Sequence, residues 1–181
     1  MLPTNLTKSA IWLLPVLVLN LSGCGLGQSV SDGTKSAVSS IFYKKIKVLH
    51  LDFVARADLN TDARENNSHP ESVVIRVYQL KERKTFDKTV YQQLLKEGES
   101  LLGQDLLASR DVVLKPGSAA SLDMPMEADA KFVAVVALYR HPDSGKQGWK
   151  QVLERKQLDP DKERVFEAGA NSRSPIAIEG E

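Results

Sequence analysis

The run KFVAVVALYR, Lys131 to Arg140, is apolar at successive positions instead of alternate ones. A strand points successive side chains to opposite faces, so this segment has two faces to bury. In an antiparallel architecture it needs cover from both sides, which places it centrally in a sheet. The rest of the chain must then supply a facing layer and an outer cover.

The facing layer is visible in IKVLHLDFVARADLN. Leu49, Leu51, Phe53, Ala55, Ala57 and Leu59 are apolar, while His50, Asp52, Arg56 and Asp58 fall between them. That alternation predicts a long strand with one buried face. SVVIRVYQL, Ser72 to Leu80, is rich in Val and Ile and predicts a second strand. Strands resume with DVVL. Lys115-Pro116-Gly117-Ser118 suits a type II turn, and Leu122, Met124 and Met126 alternate beyond it. WKQVLER predicts a further strand, with one or two more between Arg164 and Ile178.

The outer cover comes from a change of period. Phe86, Val90, Tyr91, Leu94 and Leu95 recur at helical spacing, with Leu101 and Leu102 beyond. Asp87 is placed to cap this helix, which puts Phe86 and Tyr91 at hydrophobic-staple positions. Gly98 should weaken or bend it, Gly103 should end it, and Leu106 and Leu107 should close a short second helix. The expected fold is all-β: a two-layer antiparallel β-sandwich with a helical insertion, about residues 86–108, after the second strand.

The N-terminal segment has its own logic. Lys8 is the one charged residue of the first ten, and Ala10 to Leu21 is almost wholly apolar. A membrane-spanning helix needs about 20 apolar residues, so this run is too short. Basic start, short apolar centre and small residues predict a secretory signal peptide over residues 1–23. Leu21-Ser22-Gly23-Cys24 then resembles a lipobox, in which cleavage between Gly23 and Cys24 frees a cysteine for acylation. Each buried methylene contributes about 0.8 kcal/mol, so two or three acyl chains would anchor the chain without spanning the membrane. Residues 24–40 read as lipidated N-terminus and tether, and residues 41–181 as the sandwich domain. Whether Val38–Lys45, before the first strand, forms a short helix is open.

Composition narrows the function. The chain has 24 basic and 23 acidic residues, and Lys8 lies in the signal segment, so the mature protein is neutral. Nucleic-acid binding rests on neutralising phosphates and has no support here. Cys24 is the only cysteine, so the fold must stand on packing without disulfides. His50, His69 and His141 share no ligand spacing and read as surface residues. Asp159, Asp161 and Glu163 read as a solvated turn, because Pro160 and Lys162 interrupt them and no twelfth-position glutamate follows. With no catalytic or nucleotide-binding motif present, the expectation is a non-enzyme with no metal, no cofactor beyond lipid on Cys24, and no small-molecule substrate.

Between the first two strands lies NTDARENNSHPE, Asn60 to Glu71, which is long, charged and without periodicity. It reads equally as a binding loop on a rigid sandwich or as a plain surface connection.

Taken in order, Val74-Ile75-Arg76-Val77-Tyr78-Gln79-Leu80, Phe86, Leu94-Leu95, Asp105-Leu106-Leu107, Leu114-Lys115-Pro116-Gly117, Val133 to Arg140, and Trp149 resemble the TssJ outer-membrane lipoproteins of type VI secretion systems, and the lipobox completes the likeness. The resemblance spans roughly residues 21–180. It implies a transthyretin-like sandwich without enzymatic activity, tethered to the periplasmic face of the outer membrane. Gly25 after the cysteine, where Asp would retain a lipoprotein at the inner membrane, agrees with that location. The implied partner is the periplasmic C-terminal domain of TssM, with TssL joined through the complex. The implied contact is the loop Asn60, Thr61, Asp62, Ala63, Arg64, Glu65, Asn66, Asn67, Ser68 and His69, centred on Asp62, Arg64, Glu65, Asn66 and Asn67. The competing expectation is a periplasmic small-ligand or carbohydrate-binding lipoprotein. It requires stacking aromatics, and aromatics are only 6% of the chain.

Overall fold

Two four-stranded sheets face each other in the computed structural model, which describes residues 46–62, 64–142 and 148–170, and the backbone of 177–178. The strands are β1 (Val48–Ala55), β2 (Val73–Leu80), β3 (Leu106–Leu114), β4 (Ala119–Pro125), β5 (Phe132–Leu138), β6 (Lys150–Glu154), β7 (Arg164–Ala168) and β8 (Ala177–Ile178). One sheet has the order β4-β1-β7-β8 and the other β3-β2-β5-β6. Neighbours run antiparallel except β1 and β7, which are parallel. The signal segment 1–23 with Gly23, the lipidation site Cys24, the tether, and Val38–Lys45 lie outside the described residues, as does Ala63.

Strand β1 follows its alternation: Leu49, Leu51, Phe53 and Ala55 are buried, while Val48, His50 and Val54 are exposed. It ends earlier than expected, at Ala55. Ala57 is exposed, and Leu59 reaches the core through a turn in which its N–H bonds to Arg56 O. The Phe53 and Phe166 rings stack at 5.6 Å and join the two central strands of this sheet.

In the second sheet β5 is central, between β2 and β6, and Val133 to Ala137 are fully buried. One face meets the first sheet. There Gln79 is buried and bonded at both ends of its amide, its Nε2 donating to Pro125 O and its Oε1 accepting from Glu127 N–H. The other face is covered by the helical insertion, as two-sided burial of β5 required.

The insertion differs in detail from the expected single helix. Helix α1 (Lys84–Lys88) and helix α2 (Tyr91–Leu102) are separated by extended Thr89 and Val90. Two consecutive β-branched residues favour that extended backbone, and Thr89 Oγ1 closes α1 by bonding to Thr85 O. Asp87 therefore caps nothing. It lies inside α1 and accepts from Arg83 Nε at 2.7 Å. Phe86 and Tyr91 do not form a staple, yet both are buried against the sheet. Phe86 meets Tyr78 edge-on, and Tyr91 meets Trp149.

Helix α2 kinks at Glu97, immediately before Gly98, and ends at Gly103 with φ +48. Leu106 and Leu107 do not close a second helix. After a short 3₁₀ turn at Gly103–Asp105 they open β3, so the insertion covers 84–105 instead of 86–108. Both are half-buried against the core, which apolar content alone does not distinguish from helical burial. The expected turn at Lys115–Ser118 is present: Gly117 has φ +64, and Ser118 N–H bonds to Lys115 O. The segment Asp159–Glu163 is an exposed turn apart from half-buried Pro160, with Asp161 N–H on Asp159 Oδ1.

Candidate functional site

The loop Asn60–Glu71 sits where β1 ends, β2 begins and β5 ends. Chain entering the domain at Ile46 lies at the other end of the strands. Arg155 Nη2 donates to Ile46 O there, and Arg155 N–H bonds to Lys131 O, just before β5.

The loop is a built structure, not a slack connection. Glu71 N–H bonds to Leu59 O and closes it at the base. Asn60 is buried with φ +58, a left-handed conformation that Asn tolerates better than most residues. Its Oδ1 accepts from Arg140 N–H at 2.9 Å, and its Nδ2 donates to Ser72 O. One side chain thus ties the loop to the end of β5 and the start of β2.

Asp62 is buried and organises the next turn. Arg64 grips its carboxylate through Nε at 2.9 Å to Oδ1 and Nη2 at 2.7 Å to Oδ2, and Arg64 N–H adds a third donor. The Arg64 guanidinium, then its backbone N–H, hold the Asp62 carboxyl well below the usual carboxylate range. Asp62 N–H donates to Ser68 Oγ at 2.6 Å, and Glu65 N–H to Asp62 O at 3.0 Å. Thr61 Oγ1 donates to Asp58 O.

Two residues complete the arrangement that the sequence placed elsewhere, Arg140 at the end of the central strand and His141 among the surface histidines. Arg140 reaches into the loop from the end of β5, with Nη1 on Glu71 Oε1 at 3.1 Å and Nη2 near Asn60 O, Ser68 Oγ and Glu65 Oε2. His141 Nε2 lies 3.4 Å from Asp62 Oδ2 and 3.7 Å from Glu65 Oε1. Their distance in sequence, roughly 80 residues, hides the relation. The available signal was the basic Arg140-His141 pair closing an apolar strand.

Of the ten expected contact residues, Arg64, Glu65, Asn66, Asn67 and His69 are exposed, and Thr61 and Ser68 are half-buried. Asn60 and Asp62 are buried and committed to internal bonds. The surface offered outward is a tip of amides and charges.

Asp62, Glu65 and His141 place their ligand atoms within 4.8 Å of one another. Arg64 and Arg140 already lie against the two carboxylates, so the group reads as a balanced ion network, not a cation cage. At the opposite end of the domain an open groove of about 900 Å³ runs between Lys81, Asp105, Ala130, Phe132 and Lys156. Phe132 is its one aromatic. Lys131 pairs with Glu82, while Arg155 is spent on the carbonyls of Glu127, Ala128 and Ala130. Among the described residues no helix is long and apolar enough to cross a membrane.

The T6SS-SciN family model, described as "Type VI secretion lipoprotein, VasD, EvfM, TssJ", matches residues 47–173. A chain of the structure described as "T6SS protein TssM C-terminal domain (869-1107) from EAEC" is 40% identical, with 74% of this chain and 98% of that one covered and a TM-score of 0.63. A chain of a "Type VI membrane complex" shows the same identity and coverage with a TM-score of 0.67. Lip from Serratia marcescens, "a membrane bound component of the Type VI Secretion System", is 23% identical over 73% of this chain and 96% of its own, with a TM-score of 0.63, a likeness of fold. No curated protein matches.

Proposed function

Because this chain belongs to the type VI secretion lipoprotein family that includes TssJ, we propose that it is a non-catalytic, membrane-tethered adaptor of the secretion apparatus. Acyl chains on Cys24 hold it at the periplasmic face of the outer membrane. The loop Asn60–Glu71 docks the periplasmic C-terminal domain of TssM, and TssL joins through that assembly.

The observation that carries this reading is the loop itself: a firmly bonded base with an exposed polar tip at Arg64–Asn67. The 40% identity to chains of two structures, described by TssM and by a type VI membrane complex, supports TssM as partner. The chain enters at Ile46, at the end away from the loop. The groove beside Phe132 supports small-ligand carriage poorly, since it is open and offers one ring.

The test uses two variants. Cys24→Ser is expected to fold normally, leave the membrane fraction and abolish secretion; full secretion by the unacylated protein overturns the tether. Replacing Arg64, Glu65 and Asn66 by Gly-Ser residues is expected to remove binding to the TssM C-terminal domain with the melting temperature unchanged. Undiminished binding overturns the docking role of the loop.

A further inference from the structure

We propose that Arg140 is the positioning residue of the docking loop, fixing Asn60–Glu71 in its folded form before the partner arrives. This rests on the loop being the docking surface, and adds that TssM meets a preformed shape instead of inducing one.

The contacts of Arg140 are spread along the whole loop. Its N–H and Nη2 meet Asn60, the first residue, and Nη1 meets Glu71, the last. Between them Nη2 lies 3.4 Å from Ser68 Oγ and 3.6 Å from Glu65 Oε2. Ser68 Oγ in turn accepts from Asp62 N–H, so the turn that Arg64 closes over Asp62 is coupled to the same guanidinium. A planar fork with five donors can serve several partners at fixed angles, which a compact ammonium cannot. Arg140 is itself anchored, because it directly follows buried Tyr139 and the strand β5, whose Val133–Ala137 are fully buried. The hub is therefore rigid, and the loop is referred to it.

The consequence is energetic. A loop that orders only on docking loses conformational freedom at that moment, and the loss is subtracted from affinity. With Arg140 in place that ordering is already done. Removing it leaves the tip residues present but unaligned.

The test compares the mature protein with Arg140→Ala, Arg140→Lys, and a Glu71→Ala variant that removes one Arg140 contact without touching β5. Hydrogen exchange is followed at the amides of Asp62, Arg64, Glu65 and Glu71 in the free protein, beside affinity for the purified TssM C-terminal domain. All three variants should exchange faster at these amides with β1 and β2 unchanged, and should bind at least about tenfold more weakly, with Lys failing to rescue. Unchanged loop exchange in Arg140→Ala, or a loosened loop that binds as tightly as before, overturns the proposal. So does rescue of both readouts by Lys, since charge alone would then suffice. If the Gly-Ser replacement of 64–66 weakens binding and the Arg140 variants do not, only this inference falls. If that replacement has no effect either, the docking reading falls with it.

Discussion

Tyr78 Oη lies against Gly98, where α2 crosses β2, and leaves no space for a methyl group at position 98. This contact seats the insertion on the sheet and explains why a residue unfavourable in helices stands inside α2. The kink at Glu97, one residue earlier, lets the helix settle onto the ring.

Gly98→Ala should therefore destabilise the domain. In an exposed helix that change gains up to about 1 kcal/mol, whereas overpacking a buried site costs about 1–3 kcal/mol. The sign of the measured difference decides between them. Chemical denaturation should show a loss, and Gly98→Ala/Tyr78→Phe should recover part of it, because the hydroxyl is the obstructing group. A Gly98→Ala protein as stable as the parent would mean that α2 does not rest on Tyr78.

The sandwich was legible because burial imposes a strict period. Leu49, Leu51 and Phe53 can only be one face of a strand, and Val133–Ala137 can only be central. The insertion was legible as helical but not in its joints. Thr89 and Val90 fit the helical spacing of their neighbours, and only backbone preference breaks the helix there. Leu106 and Leu107 are apolar under either period, so their strand state is set by the pairing of Leu106 with Leu80 and of Ala108 with Gln79, across a register shift at Leu107, which a local pattern does not carry. The loop was legible as a loop, but Arg140 and His141 meet it from roughly 80 residues away, and the basic pair closing an apolar strand was their one local sign.

Lys150 is a further residue that composition could not flag. Its Nζ is directed at the carbonyls of Phe86, Asp87 and Thr89, at 3.4, 3.0 and 3.3 Å, with the Phe86 and Trp149 ring centroids 5.3 and 5.1 Å away. It caps the C-terminus of α1 and fastens the insertion to β6. Lys150→Met should cost about 1–3 kcal/mol by removing this donor from the Asp87 and Thr89 carbonyls, Phe86 O keeping the Thr89 N–H. Burial first, then Arg83, pushes the ammonium pKa down from 10.5, against the opposing pull of Asp87. The unfolded chain then holds the proton more tightly than the folded one. The parent's stability should rise relative to Lys150→Met as pH climbs from the folded pKa toward 10.5. Paired urea titrations between neutral and alkaline pH would expose a flat difference if Lys150 is solvated.

Asp62 shows a dependence of the same sign, in the acid range. Its carboxyl is held below the ordinary 3.8 of an aspartate, chiefly by Arg64, so its contribution is complete above that value and fades as pH falls through the lower, folded one. Exchange protection at Arg64 N–H and Glu65 N–H should persist at pH 4 and disappear only on stronger acidification. In Asp62→Asn that protection should be weak at every pH. Loss of protection near pH 4 in the parent would show that Arg64 does not hold Asp62 in solution.

Asn60 separates backbone strain from side-chain bonding. At φ +58 an alanine carries roughly 1–2 kcal/mol of steric cost that glycine does not. Both substitutions lose the bonds to Arg140 N–H and Ser72 O. Asn60→Ala should thus be the less stable of the two by about 1 kcal/mol, and both should fall below the parent. The two should also loosen the loop to a similar extent, since each removes the same amide. Equal melting temperatures for Ala and Gly would mean that residue 60 relaxes out of the left-handed region, and the loop base would then be held by Arg140 and the Glu71–Leu59 bond without it.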